Sequence, residues 1–408
     1  MSARARFCVL LLLATGCGGH RGEDAHTPSS PAPTPPANHI APPMPAASST
    51  TPMAGAPPCV PGPDGRCPPP PPTSSSTAAG PVEAPPPPKP GTVRGGLARG
   101  SEDAADRALY AGDLALDADQ LSDAKRHYAR ARALAPKDAA PRVGLVRVAL
   151  AQSGVVTDYA SAPGNAKMKA LLKELAAAQK LDGEYGPLFV EKGRIELILG
   201  NAQGALDALQ RGVALLPFDP EAHSALGVAL IATGKSEPAL ERFRRAAQLD
   251  PDNAARLTNL GTAYMMRGQV ADAVRAYERA VTLAPKDARA RGDLGTALLS
   301  LSKFDEALPH LQAAVDLAPE RATFLSNLGY AYQQKGELKK ALALFEQALK
   351  KDPKLGSAWI NLGTSKARSG DYDGAEKAFK KALELDPKDP RAQANLDELK
   401  ALRQQPKP

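Results

Sequence analysis

Ala358-Trp359-Ile360-Asn361-Leu362-Gly363, followed fifteen residues after its last member by Ala378-Phe379-Lys380-Lys381-Ala382-Leu383-Glu384-Leu385-Asp386-Pro387, fixes the reading of the whole chain. The closing proline returns upstream at one interval: Pro217, Pro251, Pro285, Pro319, Pro353 and Pro387 are each 34 residues apart. A period of this length is that of a helix–turn–helix unit stacked on copies of itself. With each proline at position 32, units begin at residues 186, 220, 254, 288, 322 and 356. Two more fit before them. One runs from Ala105 to Pro136; the other starts at Ala139, is 47 residues long, and has Gly183 in the proline place.

Within the unit each recurring residue has a physical task. Position 8 is Gly193, Gly227, Gly261, Gly295, Gly329 and Gly363. Glycine in a helix costs roughly 1 kcal/mol against alanine, so six in register imply that something approaches the first helix closely there. Alanine at position 20 (Ala205, Ala239, Ala273, Ala307, Ala341, Ala375) is expected to face that contact. A large side chain fills position 24: Tyr128, Leu209, Phe243, Tyr277, Leu311, Phe345 and Phe379. Gly200, Gly234, Gly268, Gly336 and Gly370 at position 15 suit a helix end, and the proline stops the second helix. The prediction is an all-α chain.

These positions resemble the consensus of the tetratricopeptide repeat family, and the resemblance covers residues 105–389. It implies a right-handed α-solenoid of about eight units, within a repeat region at 101–389. Residues 390–408 form a capping helix and tail, polar through Lys400 and Arg403. Unit two carries about 13 extra residues near 153–165, with Tyr159 as its one large apolar side chain, read as a tolerated surface loop.

The family pattern also implies that positions 2, 5, 6, 9, 12 and 13 of each first helix line a concave groove. Position 6 reads Asn259, Asp293, Asn327 and Asn361, with Asn395 in the cap. This row resembles the asparagine ladder of the O-linked N-acetylglucosamine transferases. A primary amide donates and accepts at once, and so matches a peptide backbone. The same asparagines would equally serve as solvated consensus residues. Thr262, Met265, Met266, Thr296, Tyr330, Gln333 and Gln334 would line the same wall. The two methionines suit adaptable recognition or, alternatively, burial against the next unit.

The first residues read as an address. Arg4 and Arg6 precede the apolar run Phe7–Leu13, and Ala14-Thr15-Gly16-Cys17 follows. Residues 1–16 thus form a secretory signal too short to span a bilayer. A cysteine at its end resembles the bacterial lipoprotein signal, which implies lipidation of Cys17; the alternative is ordinary secretion. Gly18 carries no retention aspartate, so the expected place is the outer membrane, facing the periplasm. Residues 17–100 form a disordered tether, since residues 18–100 hold 24 of the 40 prolines. In an oxidising compartment Cys59 and Cys67 would close a small disulfide, or else remain free thiols.

No catalytic constellation emerges. His20, His26 and His39 fall in the tether; His127, His223 and His310 sit on different units without metal-ligand spacing. There is no phosphate loop or nucleophile elbow. From residue 101 onward 44 basic and 40 acidic side chains balance, which gives no basic stripe for nucleic acid. No cofactor, metal or small-molecule substrate is expected. The expectation is a non-catalytic envelope scaffold that binds a peptide or protein partner in the groove. Two variants are an assembly factor, resembling the lipoproteins that pilot secretins for type IV pili, and a regulatory subunit recruiting an envelope hydrolase.

Overall fold

The structure, a computed structural model, describes residues 95–155 and 159–404. All of them belong to one compact unit. Among the described residues every regular element is an α-helix. The helices alternate as first and second members of eight pairs. The pairs are α1 (Ala104–Asp117) with α2 (Leu121–Leu134), α3 (Ala140–Ala151) with α4 (Ala166–Gln179), and α5 (Gly186–Leu199) with α6 (Ala202–Leu215). Next come α7 (Pro220–Ala232) with α8 (Ser236–Leu249), α9 (Ala254–Met266) with α10 (Val270–Leu283), and α11 (Ala288–Ser300) with α12 (Phe304–Leu317). The last are α13 (Ala322–Gln334) with α14 (Leu338–Lys351) and α15 (Gly356–Arg368) with α16 (Tyr372–Leu385), followed by the single α17 (Pro390–Gln404). No helix among the described residues is long and apolar enough to cross a membrane.

Local chemistry sets the ends. Asp219, Asn253 and Asp287 stand just before α7, α9 and α11, and their side chains accept from Ala222, Arg256 and Ala290 backbone N–H groups at 2.9, 3.3 and 3.2 Å. Donors otherwise left without partners in the first turn are thereby satisfied. Between the helices the chain must turn through the left-handed region: Gly234 has φ +75°. The demand belongs to the position rather than the residue, because Ser302 and Asp119 hold the same place at φ 58° and 59°.

The close approach inferred at position 8 is real, and the side chain that fills it is the one at position 24. A Cβ on Gly227 would lie 2.7 Å from Phe243 Cζ, one on Gly261 2.6 Å from Tyr277 Cε1, and one on Gly329 2.8 Å from Phe345 Cε1. The position-20 alanines are fully buried as well, but the atoms nearest the glycine belong to the knob. The knob is an aromatic ring in five units and a leucine at Gly193 and Gly295, which meet Leu209 and Leu311. At one junction the device is doubled, because Tyr128 lies between Gly112 of its own unit and Gly144 of the next.

Each first helix packs on its partner, and each second helix on the next first helix. First helices also touch across units (α1 with α3, α5 with α7, α13 with α15), whereas no pair of second helices has contact of similar extent. The row of first helices is therefore the shorter, inner side of the array.

One segment departs from its sequence reading, and the surface loop of unit two is held more firmly than its composition implies. Residues 95–100, assigned by composition to the disordered tether, are held against the first helices. Leu97 is only 2% exposed, and acidic side chains far along the chain bind the segment's amides. The insert of unit two is also anchored. Ala160 and Ala162 N–H groups donate to Leu197 and Ile198 carbonyls at 2.8 and 3.1 Å, and Tyr159 O–H to the Gly200 carbonyl at 3.3 Å. The insert thus caps the last turn of α5, whose carbonyls lack helical partners.

Gly227→Ala should lower the melting temperature. The helix propensity gained is roughly 1 kcal/mol, while overpacking a filled contact costs about 1–3 kcal/mol. Gly356→Ala, whose Cβ would meet nothing within 4 Å, should be neutral or stabilising. Denaturant unfolding followed by circular dichroism compares the two.

Candidate peptide-binding face

The twelve candidate residues all lie on first helices or on α17, but they divide by burial. Asn259, Thr262, Gln333 and Asn395 are 2%, 5%, 0% and 5% exposed. Asp293, Thr296, Asn327, Tyr330, Gln334, Asn361, Met265 and Met266 are half-buried, with part of each surface open. Met265 and Met266 pack against neighbouring apolar clusters. Thr262 is committed to the interior: its hydroxyl donates to the Thr258 carbonyl at 3.0 Å and shares a 3.1 Å hydrogen bond with Tyr277 O–H. Gln333 joins two units, its Nε2 donating to the Asn361 carbonyl at 3.4 Å and its own carbonyl accepting from Arg368 Nη1 at 3.1 Å.

The position-6 row has a structural partner that sequence reasoning did not see. Asn327 Nδ2 donates to Thr296 Oγ1 at 2.9 Å, and Asn395 Nδ2 to Thr364 Oγ1 at 3.5 Å. In both cases position 6 of one unit binds position 9 of the unit before. Where position 9 is Thr, the amide nitrogen is used between units and the amide oxygen is the atom still directed elsewhere. Asp293 puts a carboxylate into the same row, 3.4 Å from Arg289 Nε. Burial pushes its carboxyl pKa above the ordinary 3.8, and Arg289 opposes the shift without cancelling it.

Units two to five use charges instead, at first in the same geometry. Arg147 at position 9 of unit two meets Glu191 at position 6 of unit three at 2.7 Å. Glu191, 1% exposed, also pairs with Arg194 at 3.1 Å. Arg194 continues to Glu221 at 3.6 Å, Glu221 to Arg256 at 3.3 Å, and Arg256 to Asp250 at 2.8 Å. This line of alternating charge runs along α3, α5, α7 and α9. Only its first pair, Arg147 with Glu191, could be found by comparing positions 9 and 6 of successive units; Glu221, Arg256 and Asp250 stand at other positions and join the line through the tertiary structure.

At the beginning of the array the face is occupied. Gly95–Ser101 runs along it in non-helical conformation. Leu97 and Ala98 N–H groups donate to Asp113 Oδ2 at 2.6 and 2.9 Å, while Tyr128 O–H donates to Asp113 Oδ1 at 2.9 Å. Arg99 and Ser101 N–H groups donate to the two oxygens of Asp106 at 2.8 and 2.7 Å. Arg147 Nη1 donates to the Gly95 carbonyl at 2.9 Å. The Arg99 guanidinium grips Asp138 through two hydrogen bonds of 2.7 and 2.9 Å and lies 5.6 Å from the Tyr185 ring centre. Asp106 and Asp113 hold positions 2 and 9 of unit one, two of the inward positions.

No cluster of His, Cys, Asp and Glu able to hold a metal ion occurs among the described residues. Cys17, Cys59 and Cys67 lie outside the described residues.

With this geometry in place, comparisons with known proteins identify the class. Tetratricopeptide repeat family models match residues 190–254, 258–322, 293–356 and 356–389. The chain carries tetratricopeptide repeats within residues 190–389, and their fold is in general a non-catalytic scaffold for protein–protein contacts. Among solved structures it is similar to a chain of the APC/C hetero-tetramer Cut9–Hcn1, with 16% identity, a TM-score of 0.57 and 74% of this chain covered. It spans 57% of that chain's length. Two further similar structures are pilF of Pseudomonas aeruginosa (20% identity, TM-score 0.47, 54% of this chain and 98% of that) and MamA (30%, 0.36, 40% and 95%). No curated protein matches the chain.

Asp293→Asn should raise stability at pH 7. A carboxyl pKa raised in the fold means that the folded state binds the proton more tightly than the unfolded state. Its contribution is therefore most favourable below the ordinary 3.8 and is lost as pH rises through the folded value. The gain of the variant over the parent should shrink from pH 7 to pH 4 in denaturant unfolding.

Proposed function

We propose that this protein is a non-catalytic scaffold of the bacterial cell envelope that binds an extended segment of a protein partner along its first-helix face. One observation carries the reading: this face already holds seven residues of non-helical chain, Gly95–Ser101, mainly through hydrogen bonds to their backbone. A surface that satisfies main-chain groups accepts polypeptide with modest regard for side chains. Further along the inner row, the open parts of Thr296, Asn327, Tyr330, Gln334 and Asn361 continue a polar wall. Tyr supplies contact area at low entropic cost, and the amides supply donors and acceptors.

The envelope placement rests on Arg4, Arg6, the apolar run Phe7–Leu13 and Cys17. In this reading Cys17 carries lipid, residues 17–94 bridge the anchor and the repeats, and the repeats work at the outer membrane on its periplasmic side.

Photocrosslinking amino acids at Tyr330 and Gln334, with Glu346 on a second helix as control, test the binding face. A discrete protein partner captured from the first two positions and not from Glu346 is expected; capture from Glu346 alone would place the interface on the outer side. Palmitate labelling that disappears with Cys17→Ser checks the anchor.

A further inference from the structure

The segment Gly95–Ser101 has the chemistry of a bound ligand rather than of a linker. Most of its amides are taken by carboxylate side chains. Four of them, from Leu97, Ala98, Arg99 and Ser101, are taken by the carboxylates of Asp113 and Asp106, which are 0% and 4% exposed. Burying a carboxylate is costly unless hydrogen bonds replace its water. Of the three donors that the structure gives Asp113, two come from the segment and one from Tyr128. A lid that only sealed the apolar end of the array would need apolar side chains and no such acceptors. Two side chains add selectivity. Leu97, 2% exposed, belongs to the apolar cluster that includes Leu109, Leu116 and Val143. Arg99 meets Asp138 in a bidentate pair and stacks beside Tyr185. Ala98 and Gly100 between and after them carry little or no side chain.

Going beyond the scaffold reading, on which it rests, we propose that the inner face of the first two units is a peptide-docking site selective for an aliphatic residue followed two places later by arginine. The chain keeps this site filled with its own Leu97-Ala98-Arg99. The partner it fits is a non-helical peptide of that pattern, free to turn at glycines on either side as this segment does at Gly95 and Gly100: the backbone is read by Asp106 and Asp113, the aliphatic side chain by the apolar cluster, and the guanidinium by Asp138. Charge complementarity favours a cationic segment, since three carboxylates converge and Arg147 reaches only the upstream carbonyl of Gly95. The internal occupant has a kinetic and thermodynamic advantage. Only Glu102 and Asp103 separate it from α1, so its effective concentration is on the order of millimolar. A partner therefore enters when the segment is displaced, and the site is closed by default.

The test uses the full chain and a labelled peptide of sequence Gly-Gly-Leu-Ala-Arg-Gly-Ser, followed by fluorescence anisotropy. In the double variant Leu97→Asp, Arg99→Glu the internal segment is released. The expected result is at least tenfold tighter binding of the peptide to this variant than to the unaltered chain, and no binding of a peptide carrying the same two changes. Equal binding to both chains, or loss of α1–α2 helicity with no binding, overturns the proposal. Hydrogen exchange on the unaltered chain gives a second readout that needs no variant. Peptide at saturating concentration should speed exchange of the Leu97 and Ala98 amides severalfold, and unchanged exchange rejects a replaceable segment. Crosslinking from Tyr330 reports on units far from this site. Its success alongside failure here would remove the docking site and leave the scaffold reading standing.

Discussion

The structure depends on one contact made over and over: a large side chain at position 24 of the second helix lying on a glycine at position 8 of the first. No methyl group fits between Gly227 and Phe243, or between Gly329 and Phe345. The missing Cβ lets the two helices of a unit close until the ring is fully buried; Phe243, Phe345 and Phe379 are all 0% exposed. Dispersion and burial from a ring in such a slot far exceed the helix propensity sacrificed by the glycine. Because seven of the eight units pair their helices in this way (unit two, with Val146 at position 8, is the exception), the units have similar shape and stack in a line. The first-helix face exists only because they do.

Stacking is then fixed from unit to unit by polar contacts on the inner side, and the two halves of the array solve this differently. In units two to five partly buried charges alternate from Arg147 to Asp250, around a fully buried Glu191. Such chains add little net stability compared with apolar packing, but they penalise misalignment strongly, since a shifted unit would strand a buried charge. Towards the other end an amide and a hydroxyl do the same work without charge, as in Asn327 with Thr296. The neutral version leaves amide oxygens and half-buried Tyr and Gln side chains along the inner row. That row can meet a partner's backbone without first breaking an ion pair.

The start of the array shows what such a partner would look like. Gly95–Ser101 lies along the face with its N–H groups on buried carboxylates and its leucine in the apolar cluster. The acidic residues at positions 2 and 9 of unit one turn the general peptide-accepting character of the inner side into a site with a preferred ligand.

By itself the sequence determined the repeat, its 34-residue period, the helix pairs and the register that brings position 8 to position 24. All of these are local or strictly periodic, so a residue's neighbours along the chain, or 34 places away, define its environment. It also named the inward row, yet it did not show that Thr296 and Thr364 take up asparagine nitrogens, because that depends on which residue stands at position 9 of the preceding unit. Gly95–Ser101 was invisible for a stronger reason. Gly-Gly-Leu-Ala-Arg-Gly-Ser has no helical or strand period of its own, and its composition continues the proline-rich stretch before it. Only the tertiary structure brings Asp106, Asp113, Asp138 and Arg147 together around it. Contacts at such different separations obey no sequence period, and they alone make the segment ordered.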